Sequence, residues 1–176
     1  MKKMEIKKLS LVDKELIKEF FVNIFTKAPW YDDWSDKQQL DLYIIDLIGN
    51  VNSLTLGFFN NDELMALSMG YVKHWFRGTE YIINELCVKT EAQGKGIGSD
   101  FLHQMEEYLL AQGIEATFLL TERTVPAYNF YKKNGYYEYP DKQEFSGNLK
   151  MVIRIVEGKD VAALVELIQK DLGYLA

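Results

Sequence analysis

The run from Leu86 to Gly98, LCVKTEAQGKGIG, constrains this chain most. An apolar stretch, Tyr81 to Val88, reads as a strand and leads into it. Three glycines follow within five residues, Gly94, Gly96 and Gly98, and then Ile97, Phe101, Met105, Tyr108 and Leu109 recur at helical spacing. Glycine lets a backbone approach a ligand closely and lets several N–H groups point one way. The N-terminus of the next helix adds the positive end of a dipole. Strand, glycine turn and helix therefore predict a phosphate seat made of backbone amides. The glycines read G-x-G-x-G and no Gly-Lys-Ser/Thr ending follows, so neither the nucleotide P-loop nor the dinucleotide fingerprint is matched.

The flanking sequence supplies a sheet and helices for this turn. Met4 to Leu9 alternates as a strand, and Asp13 can cap a helix that turns Ile17, Phe20, Phe21 and Ile24 to one side. Ser35 and Gln38 have capping-box spacing before the stripe Leu40, Tyr43, Ile44, Leu47 and Ile48, which Gly49 ends. Ser53 to Phe59 and Leu64 to about Trp75 read as antiparallel strands about an Asn60-Asn61-Asp62 turn, with a further turn at Arg77-Gly78-Thr79. Ala116 to Thr121 reads as a strand after Gly113, a helix carries Ala127 and Tyr131, and Tyr136 to Tyr139 with Leu149 to Ile155 reads as a final hairpin. The order βααβββαβαββ makes the fold class α/β with a mixed β-sheet flanked by helices. With 176 residues, 48% of them hydrophobic, one domain over 1–176 is the expectation. A C-terminal helical extension over 158–173, capped by Asp160, packs on its own domain or forms a homodimer contact; both readings stand.

Two segments together resemble the GNAT superfamily of acetyl-CoA-dependent N-acetyltransferases. Gln93, Gly96 and Gly98 fill that family's Gln/Arg-x-x-Gly-x-Gly/Ala motif, with Leu86 and Val88 as the preceding Leu-x-Val. Downstream, Thr124, Ala127, Tyr131, Gly135 and Tyr136 align with Asn-x-x-Ala-x-x-x-Tyr-x-x-x-Gly-Phe. Thr124 stands where the family has Asn, which touches one cofactor hydrogen bond, and Tyr136 stands for Phe. The resemblance implies the GNAT fold, acetyl-CoA as cofactor, and a strand ending at Val88 that splays from its neighbour so that amides around Cys87 and Val88 face the thioester. It implies cofactor-binding by Leu86, Cys87, Val88, Gln93, Gly94, Lys95, Gly96, Ile97, Gly98, Ser99, Thr124 and Ala127. It also implies that Tyr131 is a general acid beside the thioester sulfur.

Acetyl transfer to an amine needs a neutral amine, a donor for the oxyanion, a proton for the leaving group and two substrates held together. Glu85, just before Leu86, is the candidate base, directly or through water, or else a ligand for the ammonium form; His74 is a rival base. Trp30, Tyr31, Asp32 and Trp34, with His74 and Trp75, are candidate substrate-binding residues, since aromatics beside carboxylates suit a cationic amine. The favoured acceptor is a small-molecule amine, with an aminoglycoside or a polyamine as named options. Protein or peptide acetylation and a non-catalytic acyl-CoA-binding module are the alternatives. A single cysteine, Cys87, and two distant histidines, His74 and His103, make no metal set, so no metal is expected. The net charge of −6 argues against a nucleic-acid partner, no apolar run is long enough for a membrane span, and Met1 to Lys7 lacks the apolar segment of a signal peptide, so a cytoplasmic location is expected.

Overall fold

A computed structural model describes residues 4–138. Internal contacts gather the chain into two compact units, Met1–Asn134 and Gly135–Ala176, and every element below belongs to the first. The elements are β1 (Met4–Leu9), α1 (Lys14–Phe25), α2 (Lys37–Ile48), β2 (Ser53–Asn60), β3 (Glu63–Trp75), β4 (Gly78–Val88), α3 (Ile97–Ala111), β5 (Ala116–Leu119) and α4 (Pro126–Lys133). The five strands form one sheet in the order β1-β2-β3-β4-β5. Neighbours through β4 are antiparallel, and β5 joins β4 in parallel. A parallel partner needs a crossover, and α3 supplies it. This is the mixed sheet flanked by helices that the sequence predicts.

Each face of the sheet carries its own apolar layer. Ile17, Phe21 and Ile24 of α1 and Leu40, Ile44, Leu47 and Ile48 of α2 are buried in one cluster with Leu67, Met69 and Cys87 of the sheet. Successive side chains of a strand alternate between faces. Phe58 stands outside that cluster and stacks on Phe101 of α3, ring centroids 5.4 Å apart. Lys18 of α1 also meets Asp41 of α2 at 2.7 Å. An exposed pair of this kind contributes little, whereas each buried Leu, Ile or Phe contributes about 1.5–3 kcal/mol. Packing, not the ion pair, therefore fixes α2. One buried polar network is complete: Tyr81 donates to the Leu54 carbonyl at 2.9 Å, which leaves Ser68 to donate to the Tyr81 oxygen at 3.0 Å.

The element boundaries differ from expectation in ways that have local causes. Asp36, not Ser35, caps α2; its carboxylate accepts from the Gln38 and Gln39 amides at 2.9 and 3.1 Å. Ser35 is drawn out of that role because its amide donates to Asp33 at 3.0 Å. Asp13 precedes α1 but reaches back to the Ser10 amide at 2.9 Å, closing a 3-10 turn over Leu11–Asp13. The β3–β4 turn is tighter than expected, since Trp75 already pairs with Gly78. Strand β5 ends at Leu119 rather than Thr121, and Tyr136 to Glu138 form no strand. Leu149 to Ile155 and the helix expected over 158–173 lie outside the described residues, and the expectation of one domain over 1–176 reaches beyond them too.

Candidate active site

The site begins where the parallel pairing stops. Strand β5 pairs with β4 only from Glu80↔Ala116 to Ile83↔Leu119, while β4 runs on to Val88. The Lys89 amide donates to the Met65 carbonyl of the β3 side at 2.8 Å. Amide direction repeats every second residue in an antiparallel ladder, so Cys87 and Glu85 also turn their amides to β3. Leu86 and Val88 turn theirs to the side that β5 has left. The splay expected from the sequence is present, and the amides in the gap belong to Leu86 and Val88; the Cys87 amide, expected among them, is spent on the ladder. Gln93 is tied to this strand end, because its side-chain amide donates to the Val88 carbonyl at 3.0 Å.

A bulge sets the side chain that faces the gap. Met69 pairs with Glu85 but Gly70 pairs with Ile83, so Asn84 is the extra residue of β4. Bulges bend a strand and re-aim the side chain beside them. Glycine at position 70 permits the close approach: a Cβ there would lie 2.1 Å from the Ile82 carbonyl oxygen. Past the bulge, Glu85 shares the face of Cys87, toward α1 and α2. The Tyr43 hydroxyl of α2 donates to Glu85 Oε1. Burial pushes the Glu85 pKa up from its ordinary value, the Tyr43 hydrogen bond pulls it down, and the Asp32 carboxylate pushes it up again. Burial and then Glu85 push the Tyr43 phenol up as well, so it remains a proton donor to the carboxylate. Burial likewise raises the Cys87 thiol, which makes it a packing group and not a nucleophile.

Aromatic side chains frame this pair. Trp34 stacks on Tyr43 with centroids 5.0 Å apart and meets Phe21 edge-on at 5.4 Å. The Trp34 Nε1 is buried and finds no hydrogen-bond partner among the described residues. Trp30 packs on Phe25 at 5.7 Å, Tyr31 is exposed at a φ of 54°, and the Asp32 amide donates to the Phe25 carbonyl at 2.9 Å. The structure therefore brings Asp32 and Trp34 to Glu85, and holds Trp30 by packing on α1. It does not bring His74 and Trp75 there. Trp75 ends β3 at the far turn, and His74 meets Thr79 at 3.2 Å. From His74 to Met69, the partner of Glu85, is five strand residues, about 17 Å.

The glycine turn has the geometry a phosphate needs. Gly94 and Gly96 have φ of 70° and 87°, and a Cβ on either would meet nothing within 4 Å, so the space over the turn is open. The first bond of α3 runs from the Asp100 amide to the Gly96 carbonyl at 3.0 Å. The amides of Ile97, Gly98 and Ser99 therefore have no carbonyl partner within the helix. Lys95 is exposed beside them. These groups fit the pyrophosphate of coenzyme A by donor chemistry and by open space. Gly98 does a different job: a Cβ there would lie 3.1 Å from the Phe130 ring of α4 and 3.3 Å from Val88. Ala127 and Tyr131 sit on α4, whose first residue is Pro126. Tyr131 is buried with its ring 5.3 Å from Phe130, and Thr124 donates to Glu122 at 3.4 Å in the loop before α4.

Tyr43 and the bulge at Asn84 were not legible as site features in the sequence. One signal pointed to Tyr43: a buried tyrosine usually finds a partner for its hydroxyl, and no residue of its own stripe offers one. No group of three or more His, Cys, Asp or Glu among the described residues could hold a metal ion, and no described helix is long and apolar enough to cross a membrane.

The profile of the acetyltransferase (GNAT) family matches residues 15–136. No curated protein matches the chain in sequence. Among solved structures the chain is similar to a possible acetyltransferase from Clostridium difficile 630, at 18% identity and a TM-score of 0.69 over 83% of this chain and 97% of that one. It is also similar to an aminoglycoside acetyltransferase, meta-AAC0020 from an uncultured soil metagenomic sample, solved with sisomicin, at 18% identity and 0.62 over 83% and 96%. A third, AAC(6')-Iy in complex with the bisubstrate analog CoA-S-monomethyl-acetylneamine, aligns at 10% identity and 0.57 over 77% and 92%. At such identities these structures establish the fold.

Proposed function

The chain belongs to the GNAT acetyltransferase family, which makes it an acyltransferase, and from that premise we propose that it moves acetyl from acetyl-CoA to the primary amine of a small molecule, directly, with both substrates bound together. The observation that carries this reading is the placement of Glu85. Its carboxylate is held by Tyr43 beside Asp32, one residue before the first free amide of the β4–β5 gap. Acetyl-CoA, when bound, supplies the acetyl group as a thioester. The Leu86 and Val88 amides would hold the carbonyl oxygen, and the amides of Ile97 to Ser99 would hold the pyrophosphate. Asp32 and Glu85 attract the ammonium form of the acceptor, and Glu85 takes its proton, directly or through water. Tyr131 holds the proton that the sulfur requires. Trp34 and Trp30 wall the acceptor side. The aminoglycoside acetyltransferases among the structural neighbours are consistent with a small polar amine, and a polyamine satisfies the same anionic site.

Steady-state kinetics tests the reading. Initial rates with both substrates varied should give intersecting lines, as a ternary complex requires. Glu85→Gln and Tyr131→Phe should each lower kcat by about 10²-fold with acetyl-CoA binding retained. Parallel lines, or rates within about twofold of wild type in both variants, would sink the mechanism.

A further inference from the structure

A second feature of the α2 face has no role in the scheme above. A cleft of about 300 Å³ lies between the C-terminal half of α2 and the middle of β3 and β4, lined by Asp46, Leu47, Asn50, Asn52, Ser53, Tyr71 and Asn84. Only Leu47 is purely apolar. No lysine or arginine lines it. Among the described residues, no hydrogen bond or ion pair engages the Asp46 carboxylate, the Tyr71 hydroxyl or the Asn84 amide, whereas Asn50, Asn52 and Ser53 are already tied to backbone groups. The cleft also sits at the carbonyl end of α2, where the helix dipole is negative. Carboxylate, phenol, amide and helix end together suit a cation that carries several N–H donors.

We infer that this cleft holds a second ammonium group of the acceptor, so that the substrate is a di- or polyamine whose first amine meets Glu85. Position relates the two sites. Asn84 is the bulged residue next to Glu85. Asp46 stands three residues after Tyr43 on α2, about 4.5 Å along the axis. A five-carbon diamine has six single bonds between its nitrogens, about 7.5 Å when extended, which exceeds that axial offset. The inference rests on acetyl transfer at Glu85 as proposed above.

The test uses 1,5-diaminopentane against 1-aminopentane, which lacks the second charge. Side-chain amide resonances of Asn52 and Asn84 are followed in the whole protein with coenzyme A present, in wild type and in Asp46→Asn, and acetylation of both amines is assayed in parallel. The diamine should shift these resonances and bind about fivefold more tightly than the monoamine, a margin at the upper end for an exposed carboxylate, and Asp46→Asn should erase the margin. Absence of the shifts, or equal shifts and affinities for the two amines, overturns the cleft even if both are acetylated. Shifts from the diamine without any acetylation uphold the cleft and overturn the acetyl-transfer reading alone.

Discussion

Gly70→Ala probes the contact that aims Glu85. The added methyl would lie 2.1 Å from the Ile82 carbonyl oxygen and 2.9 Å from Tyr81 Cε2. Favourable heavy-atom contacts settle near 3.5 Å, so roughly 1 Å of separation must come from somewhere. The atom struck is backbone and cannot rotate away, and Tyr81 is fully buried with its hydroxyl committed to Leu54. Strands β3 and β4 must part where Asn84 bulges. Overpacking costs about 1–3 kcal/mol, and a backbone collision belongs to the upper half of that range, about 2–3 kcal/mol. For a chain of this size that lowers Tm by about 5–10 °C. A displacement near 1 Å at a reacting group can cost about 10²-fold in rate. Thermal unfolding and kcat/KM are the two readouts. A Tm within about 2 °C of wild type would refute the packing argument. A lowered Tm with unchanged kcat/KM would refute the claim that this bulge positions Glu85.

Three further outcomes follow from the same geometry. Gly96→Val places a β-branched residue at a φ of 87°, which such residues essentially never adopt, and should abolish acetyl-CoA binding by calorimetry in a folded protein; wild-type affinity would remove the glycine turn as the phosphate seat. The Glu85 pKa is raised above its ordinary value of 4.5, so the native state keeps its proton to higher pH than the unfolded chain and loses stability as pH rises through that interval; Glu85→Gln should therefore raise Tm at neutral pH, with the gain vanishing in acid, and a gain independent of pH would contradict the assignment. Loss of the Tyr43 hydroxyl in Tyr43→Phe should move the acidic limb of the rate profile to higher pH, and loss of the like charge in Asp32→Asn should move it to lower pH; shifts of the same sign in both would exclude Glu85 as the titrating base.

How much of this was legible beforehand depended on whether the signal was local. The glycine turn is short-range chemistry, and Gly94, Gly96 and the open first turn of α3 appear where the pattern puts them. The strands and helical stripes expected between Met4 and Lys133 are likewise local periodicities, and each formed there, whereas Tyr136 to Glu138 did not extend as a strand. Caps are also local, but neighbouring oxygen side chains compete for the same amides, so Asp36 displaced Ser35. The approach of β3 to the bulge at Asn84 is not local. It depends on a glycine fourteen residues away in the chain, whose missing Cβ matters only once the strands are paired. His74 and Trp75 failed to reach Glu85 for a related reason: the tight turn at Trp75↔Gly78 carries them to the opposite end of the strand pair.

Tyr43 shows why one stripe can conceal a functional group. Its ring obeys the helical period of Leu40, Ile44 and Leu47, and packs on Trp34 and Phe21 as a core residue does. Its hydroxyl passes beyond that layer to Glu85. Periodicity reports the ring and is silent on the oxygen, because the partner lies 42 residues away on β4. The consequence is mechanical as well as chemical. Four buried apolar residues fix α2, α2 fixes Tyr43, and Tyr43 fixes the carboxylate, so the α1–α2 core is continuous with the reacting centre. The same helix carries Asp46 one turn later on the cleft side. Rotation or retreat of α2 would therefore disturb the base and the second ammonium site together, whereas a change confined to the glycine turn would leave both in place.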